Sequence, residues 1–253
     1  MSEPQIIDEI LRPGGLSVVF QPIVRLDGAR RSLHSIEGLT RGPKGTNMES
    51  AMVLFEYVRR KHQEMRVDRA CVNAVLRAAA GLDHSAAVTL NVHASTLSRD
   101  PEFLTFLGDV AESQGVPLAR LTVEVVQHAP VWDGPSFQSA LDALRHIGVG
   151  IALDDVGLGQ SNFRMMLDCR PDYFKVDGYF IKGCHGDYHR QAILESITGL
   201  AVKFGASVIA EGVEDEADLE TMQRIGVVLA QGNLFSEALP LSEVNEGLEA
   251  LAS

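Results

Sequence analysis

Several apolar runs in this chain stop abruptly on a hydrogen-bonding or acidic side chain. Ser32–Ile36 runs into Glu37, Val88–Leu90 into Asn91 and Ile151–Leu153 into the pair Asp154-Asp155. Ser207–Ala210 runs into Glu211, and Val227–Ala230 into Gln231. Two further groups interrupt apolar runs from inside, Glu124 in LTVEVV and Lys175 in YFKVD. A charge within a buried strand is costly unless it is paired or metal-bound. Brought to one place, these positions supply five carboxylates, two amides and one lysine. Five carboxylates that close together repel too strongly to stay ionised unaided, and divalent cations are the natural remedy. Oxygen donors with no Cys and no nearby His pair favour Mg2+ or Mn2+ over Zn2+. The adjacent Asp154-Asp155 pair suits two bridged ions, an arrangement that activates water for in-line attack at phosphorus. Any one of these acids alone is more commonly a helix cap or a solvated loop residue. Their recurrence at strand ends carries the reading.

A common point requires elements that deliver their ends to one face. Strand-length apolar runs occupy Leu16–Val24, Ser32–Ile36, Val88–Val92, Leu121–Val126, Val149–Leu153, Tyr173–Val176, Ser207–Ala210 and Val227–Leu229. Helical periodicity fills the intervals at Ser50–Arg59, Glu64–Ala80, Pro101–Gln114, Ser136–Ile147, His189–Phe204, Glu216–Ile225 and Ser242–Leu251. Pro101 suits a first helical turn, and Gly115, Gly148, Gly205 and Gly226 suit helix stops. Strand–helix alternation with Val/Ile/Leu-rich strands predicts a parallel α/β fold. Roughly eight strands on one undivided chain of about 250 residues favour a TIM-like (β/α)8 barrel, whose chemistry sits at one rim. An open doubly wound sheet is the runner-up, weakened because no Gly-x-Gly-x-x-Gly follows the first strand. No linker divides the sequence, so residues 1–253 are expected to form one domain, with its core over about residues 14–245.

The chain carries 34 Asp+Glu against 22 Lys+Arg, a formal net charge of −12. At 45% apolar and 22% charged residues, the composition is that of an ordinary globular protein. An acidic surface repels polyanions, which argues against nucleic-acid partners and anionic membranes. Cys71, Cys169 and Cys184 are too few and scattered for a disulfide framework. The N-terminus lacks a signal-peptide pattern, and no apolar run approaches the ~20 residues that span a bilayer. A cytoplasmic location is the expectation.

In order along the chain, the motifs FQPIV (20–24), IEGLTR (36–41), NVHAS (91–95), VEVVQ (123–127), LDDVGLGQSN (153–162), FKVDGYFI (174–181), VIAEGVE (208–214) and AQGNLF (230–235) resemble the EAL-domain family of cyclic di-GMP phosphodiesterases. The resemblance covers nearly the whole chain and implies a barrel whose first strand is antiparallel. It implies that Glu37, Asn91, Glu124 and Asp154 hold one Mg2+ or Mn2+ ion, and Asp154, Asp155 and Glu211 a second. Glu37, Glu211 and Lys175 become the catalytic candidates, with Lys175 beside the attacking water. Gln21, Leu39, Arg41 and Gln231 match positions that contact the substrate or shape its pocket, and Asp177 matches one that supports the site. The implied reaction is hydrolysis of cyclic di-GMP to linear pGpG. A homodimer is implied as well, since members often pair near the loop after the aspartate pair.

Four departures bear on that expectation. Gly38 stands where the family has Ala, a change expected to affect backbone freedom more than chemistry. Gln127 replaces the second Glu of an ExxE pair, removing a charge that in the family steadies the loop after the aspartates. That loop reads DDVGLGQSN rather than DDFGTGYSS. A Pro-containing stretch before the early helices is absent from ESAMVLFEY. The ligand set is complete while the loop has diverged, so a second reading stands beside the enzyme. It is a weakly active or inactive module that binds cyclic di-GMP or a regulatory protein partner. An unrelated metal-dependent barrel enzyme is third, with no Schiff-base or phosphate-gripping signature to support it.

Other candidates are set aside on physical grounds. Cys184-His185-Gly186-Asp187-Tyr188-His189 reads as a polar loop with Asp187 as a helix cap rather than a zinc site. His93 and His128 follow strands and are within reach of a ligand, but supporting imidazoles are commoner. Trp132 is as readily a packing anchor as a stacking platform. Met165-Met166 reads as helix packing. In EGVEDEADLE, the acids after Glu211 suit a solvated helix start, where they complement the helix dipole.

Overall fold

The protein is described by a computed structural model in which residues 3–28, 30–81, 86–127, 133–159 and 162–244 are defined. His128, Trp132 and Gln160 lie outside the described residues, as does most of the expected final helix Ser242–Leu251. In chain order the elements are α1 (Glu3–Leu11), β1 (Ser17–Asp27), β2 (Arg30–Arg41), α2 (Ala51–Arg60), α3 (Glu64–Ala79) and β3 (Ala87–His93). Next come α4 (Ala94–Arg99), α5 (Phe103–Ser113), β4 (Leu121–Val126), α6 (Gly134–His146), β5 (Gly150–Leu153) and α7 (Phe163–Cys169). The chain continues with β6 (Tyr173–Val176), α8 (Gly178–Ile181), α9 (Tyr188–Phe204), β7 (Ser207–Ala210), α10 (Glu216–Ile225) and β8 (Leu229–Ala230).

The strands close into a barrel in sequence order, β1 to β8. Strand β1 runs antiparallel to both β2 and β8, while the other neighbours pair in parallel. The reversal matters for chemistry. It sets the early residues of β1 against the late residues of β2, pairing Gln21 with Glu37 and Ser17 with Arg41. That ladder extends β2 well past the expected Ser32–Ile36, so Glu37 lies within the strand rather than after it. Asn91 likewise falls inside β3 and pairs with Glu124 on β4.

Side chains alternate across each strand. Val88, Leu90 and Val92, Val123 and Val125, Phe174 and Val176, and Val208 and Ala210 join one large core beneath the helices. The intervening residues line the barrel interior, where Ile23, Ile209 and Leu229 form a small apolar plug. By the same period, Asn91, Glu124 and Lys175 point inward, which is why charged residues interrupt otherwise apolar strands. Helix α1 was not expected from the sequence; its Ile7 and Ile10 pack with Leu54, Val58, Val67 and Cys71 of α2 and α3.

Helix starts follow the capping rules. Asp133, Asn162, Asp187 and Asp215 each accept a backbone N–H from the first turn of α6, α7, α9 and α10. Gly205 and Gly226 end α9 and α10 with φ of 73° and 98°, a conformation that favours glycine. Helix α5 begins at Phe103 because Pro101 and Glu102 form a turn instead. No helix among the described residues is long and apolar enough to cross a membrane.

Candidate active site

Glu37, Asn91, Glu124, Asp154, Asp155, Lys175, Glu211 and Gln231 meet at the rim where the parallel strands end. Glu37 and Gln231, separated by 194 positions, are joined by a 2.9 Å hydrogen bond from Gln231 Nε2 to Glu37 Oε2. Gln231 Nε2 also donates to Gln21 Oε1 at 3.1 Å, and Gln21 Nε2 donates to the Ser236 carbonyl at 3.0 Å. Asn91 Nδ2 donates to the other Glu37 oxygen at 2.8 Å. At the centre, Lys175 Nζ lies 3.0 Å from Glu37, 2.6 Å from Glu124 and 2.8 Å from Glu211. It is the one buried lysine or arginine among the described residues.

One ammonium against five carboxyls leaves a charge surplus, and the ionisation equilibria show where it falls. Burial acts to lower the Lys175 pKa, but Glu124, Glu211 and Glu37 hold it well above its ordinary value. Burial also acts to raise Glu37, yet Lys175 and the hydrogen bonds from Asn91 and Gln231 keep it below the usual range. The other acids lack that support. Burial, reinforced by Glu37, drives Glu124 well above the carboxylate range. Burial outweighs Lys175 at Glu211, pushing it up to about 8, and at Asp154, pushing it up to about 6. Burial and the nearby Asp177 raise Asp155 as well.

The donor set fits hard divalent cations. Glu37, Glu124 and Glu211 bring ligand oxygens within 4.8 Å of one another, and so do Asp154, Asp155 and Glu211. The two groups share Glu211 and offer oxygen only, the chemistry of Mg2+ or Mn2+ sites. The Asp154-Asp155 corner is held in an unusual shape. Asp155 has φ 51°, its N–H donates to Asp154 Oδ1 at 2.8 Å, and Val156 N–H donates to the Lys175 carbonyl at 2.9 Å. A left-handed non-glycine residue at a cluster of titratable groups is a mark of functional constraint.

A cavity of about 410 Å3 opens over these groups and also takes in Leu39, Arg41 and Asp177. A smaller one of about 310 Å3 adjoins it across Glu37 and Glu211 and reaches Gln21 and Gln231. Asp177 additionally caps α8 by accepting the Tyr179 N–H at 2.7 Å. Every site position expected from the sequence thus falls on one rim.

Gly38 corrects an expectation about its role. It sits in β2 without a positive φ, so backbone freedom is not its reason. A Cβ there would stand 2.3 Å from Val75 Cγ1 on α3; the missing methyl answers the valine beneath it.

Sequence reasoning missed Asp68, which stands on α3 among apolar residues and looks like an ordinary helical acid. It is 1% exposed. Its carboxylate accepts the His93 backbone N–H at 2.9 Å and the Thr96 hydroxyl at 2.5 Å, and pairs with His93 Nδ1 at 2.8 Å. Both Asp68 and His93 line the cavity. Phe55 was also missed, and its ring lies 5.8 Å from the His93 ring. The available signal was weak: one acid on the apolar face of a helix.

His185, Asp215 and Asp218 also bring ligand atoms within 4.8 Å. However, Asp218 already accepts from the Gly183 N–H and from the N–H and ring of His185. Asp218 and His185 thereby hold the loop before α9, whose first turn Asp187 caps. Contrary to a fully solvated helix start, Asp218 is 4% exposed.

Comparison with known proteins agrees with this geometry. An uncharacterized protein of Mycobacterium tuberculosis is 31% identical over 182 residues, covering 72% of this chain and 29% of its own length. A cyclic di-GMP phosphodiesterase of Pseudomonas aeruginosa is 29% identical over 161 residues, covering 64% of this chain and 27% of its own. Both relatives are therefore much longer than the part matched. Among solved structures, the Klebsiella pneumoniae protein BlrP1 in complex with calcium and cyclic di-GMP superposes with a TM-score of 0.78 at 26% identity. The match covers 89% of this chain and 56% of that one. The same protein is also solved with manganese and cyclic di-GMP. The model of the EAL domain matches residues 5–238, and the chain belongs to the EAL domain family.

Proposed function

We propose that the chain is a divalent-metal-dependent phosphodiesterase that hydrolyses cyclic di-GMP to linear pGpG. The observation that carries this reading is the pair of carboxylate groups sharing Glu211, gathered from four strands around one cavity. The Pseudomonas and Klebsiella relatives support the substrate by the ligands and activity in their names.

By the family resemblance, Glu37, Asn91, Glu124 and Asp154 would hold one ion, and Asp154, Asp155 and Glu211 the other. Two Mg2+ or Mn2+ ions, when bound, offset the carboxylate charge, lower the pKa of the attacking water and neutralise charge developing on the phosphoryl group. Net charge at the rim then becomes compatible with an anionic dinucleotide despite the −12 of the whole chain.

The chain's own groups perform the rest. Lys175 fixes three ligand carboxylates at once, and with Glu211 it orients the water for in-line attack and handles its proton. Asn91 and Gln231 fix the two oxygens of Glu37, while Gln231 couples Glu37 to Gln21. Arg41, on the cavity wall, is the phosphate partner, because its planar fork matches phosphate oxygens. As the water oxygen bonds to phosphorus, the P–O3′ bond breaks and the ribose oxygen leaves with a proton.

A second reading has its own observation. Gln127 directly follows β4 where the family carries a charge, and Val156 is buried where the family carries an aromatic ring. Both favour a module that binds cyclic di-GMP and turns it over weakly. The deciding experiment incubates the purified chain with cyclic di-GMP and Mn2+ or Mg2+ and follows pGpG by chromatography, beside Glu37→Ala and Glu211→Gln. Product from the wild type alone supports the enzyme. Tight binding with no product supports the receptor, and neither binding nor product rejects both.

A further inference from the structure

Arg41 and Lys175 line the larger cavity beside the aspartate pair, which accounts for the phosphates of a cyclic dinucleotide but not for its bases. The adjoining cavity of about 310 Å3 differs in kind. Gln21, Glu37, Glu211, Glu214, Gln231 and Asn233 supply its polar lining, and no Lys or Arg among the described residues does. Gln231, 3% exposed, gives its amide hydrogens to Gln21 and Glu37, and its Oε1 has no hydrogen-bond partner among the described residues. A wall rich in acceptors and without a cation repels phosphate and suits a ring edge that carries N–H donors. We propose that this cavity takes a guanine base, whose edge is read by Glu214 and Asn233. The proposal rests on the cyclic di-GMP reading above and deepens it.

Backbone bonds bring these two residues together. Val213 N–H donates to the Gln231 carbonyl at 3.0 Å, and Leu234 N–H donates to the Val213 carbonyl at 3.0 Å. The loop after β7 is thereby tied to the loop after β8, with Glu214 following one tied residue and Asn233 preceding another. Gly232 permits the close approach, since a Cβ there would collide with the Val213 backbone. Glu214 is half-exposed, and Lys182 Nζ holds its Oε2 at 3.0 Å while Oε1 makes no hydrogen bond among the described residues. Asn233 is exposed and makes no side-chain hydrogen bond among the described residues. Guanine carries two adjacent donors, the ring N–H at position 1 and the 2-amine, beside its O6 acceptor. A carboxylate accepts from both donors, and an amide N–H donates to O6. Adenine lacks that pair of donors, and its ring nitrogen at position 1 is an acceptor that a carboxylate repels. Glu214 is therefore a specificity-determining residue, and Asn233 adds a bond that does not depend on the 2-amine.

The test measures equilibrium binding of cyclic di-GMP and cyclic di-IMP to the full chain in Ca2+; the second nucleotide lacks only the 2-amine of each base. Wild type, Glu214→Ala, Glu214→Gln and Asn233→Ala are compared, with Mn2+ binding without nucleotide and thermal unfolding followed in parallel. We expect the wild type to hold cyclic di-GMP about ten-fold more tightly than cyclic di-IMP, the scale of one hydrogen bond to a charged group. Glu214→Ala should weaken cyclic di-GMP about ten-fold or more and bring the two affinities within about two-fold of each other. Glu214→Gln, which keeps the shape and one acceptor oxygen, should give a smaller loss with the same narrowing. Asn233→Ala should weaken both nucleotides alike, by about five-fold, because O6 is common to both. Mn2+ affinity and the unfolding midpoint should hold in all three variants. Should Glu214→Ala fail to fold, Glu214→Gln carries the comparison. A preference for cyclic di-GMP that survives at Glu214→Ala, or a wild type that binds both nucleotides equally, overturns the proposal while leaving the phosphodiesterase reading intact. A loss of Mn2+ affinity in Glu214→Ala overturns it too, by making the smaller cavity a cation site. A wild type that binds neither nucleotide overturns both readings.

Discussion

The carboxylate rim and the loop that follows it are joined at Asp155 yet are built on opposite principles. Most rim residues are held by partners far away in sequence: Lys175 reaches Glu37 across 138 positions, and Gln231 reaches Glu37 across 194. The loop is held mainly by local bonds and apolar contact, beside one backbone bond from Val156 to the Lys175 carbonyl. Leu158 N–H donates back to Asp155, Val156 is fully buried, and Gly157 and Gly159 take φ of 93° and 49°. Beyond it lies an apolar groove of about 670 Å3 between Leu158, Phe163 and the face of α9, with Phe163 77% exposed. A network in which every member fixes several others resists piecemeal change, whereas a loop filled by packing accepts substitutions one at a time. The difference explains how the ligand set is complete while the neighbouring loop departs from the family.

The sharpest way to break this comparison is Lys175→Met. Leaving Glu37, Glu124 and Glu211 buried without their cation should cost about 3–5 kcal/mol of stability in chelator-treated protein. Turnover, assayed as pGpG, should fall by at least about 10²-fold even with Mn2+ restored. Retention of both would mean that the rim is not the coupled network described.

Chelation and pH probe the same network. The folded-state pKa values of Asp154 and Glu211 are raised, to about 6 and about 8, above their ordinary values. Ionising such acids disfavours the fold, so their penalty is absent below their unfolded values and grows as pH rises toward about 8. Thermal unfolding in chelator should therefore occur several degrees lower at about pH 8.5 than at about pH 6. Added Mn2+ should remove most of that difference, and a pH-independent midpoint in chelator would count against the charge surplus.

Gly38→Ala tests packing beneath the rim. Its Cβ would meet Val75 at 2.3 Å, so the substitution should destabilise by about 1–3 kcal/mol in urea unfolding. Adding Val75→Ala should recover most of it, and a strictly additive double variant would refute the pairing.

The loop side should respond least. Val156→Phe, at a fully buried position, should cost about 1–3 kcal/mol through overpacking and give no gain in rate by itself. Gln127→Glu should raise kcat by about a few-fold, within roughly 1 kcal/mol of barrier. An equal or lower rate in Gln127→Glu would show that this position does not limit turnover.

The strands were legible because period-two apolar runs are a local property. Leu121–Val126, Tyr173–Val176 and Ser207–Ala210 occupy their expected limits. The lengths of β1 and β2 were not, because an antiparallel ladder can run past the point where apolar alternation stops. Helices α1 and α8 were missed for lack of length or contrast, and α4 for its short, mixed composition. Among site residues, those interrupting apolar runs announced themselves through the cost of burying them. Asp68 did not, because an acid on a helix is ordinary until its surroundings are known.

The amino-acid order by itself determined which side chains could serve together. Burying Glu124 and Lys175 in strands demands compensation, and regular strand spacing brings their rim-mates to the same level. Tertiary structure alone decided who compensates whom. The barrel's closure turned one lysine into the shared partner of three glutamates, aimed Asp68 at His93, and set Gly38 against Val75. Such pairings join positions tens to hundreds of residues apart, and no local pattern encodes them. They exist only once the first strand, running backwards, meets the last.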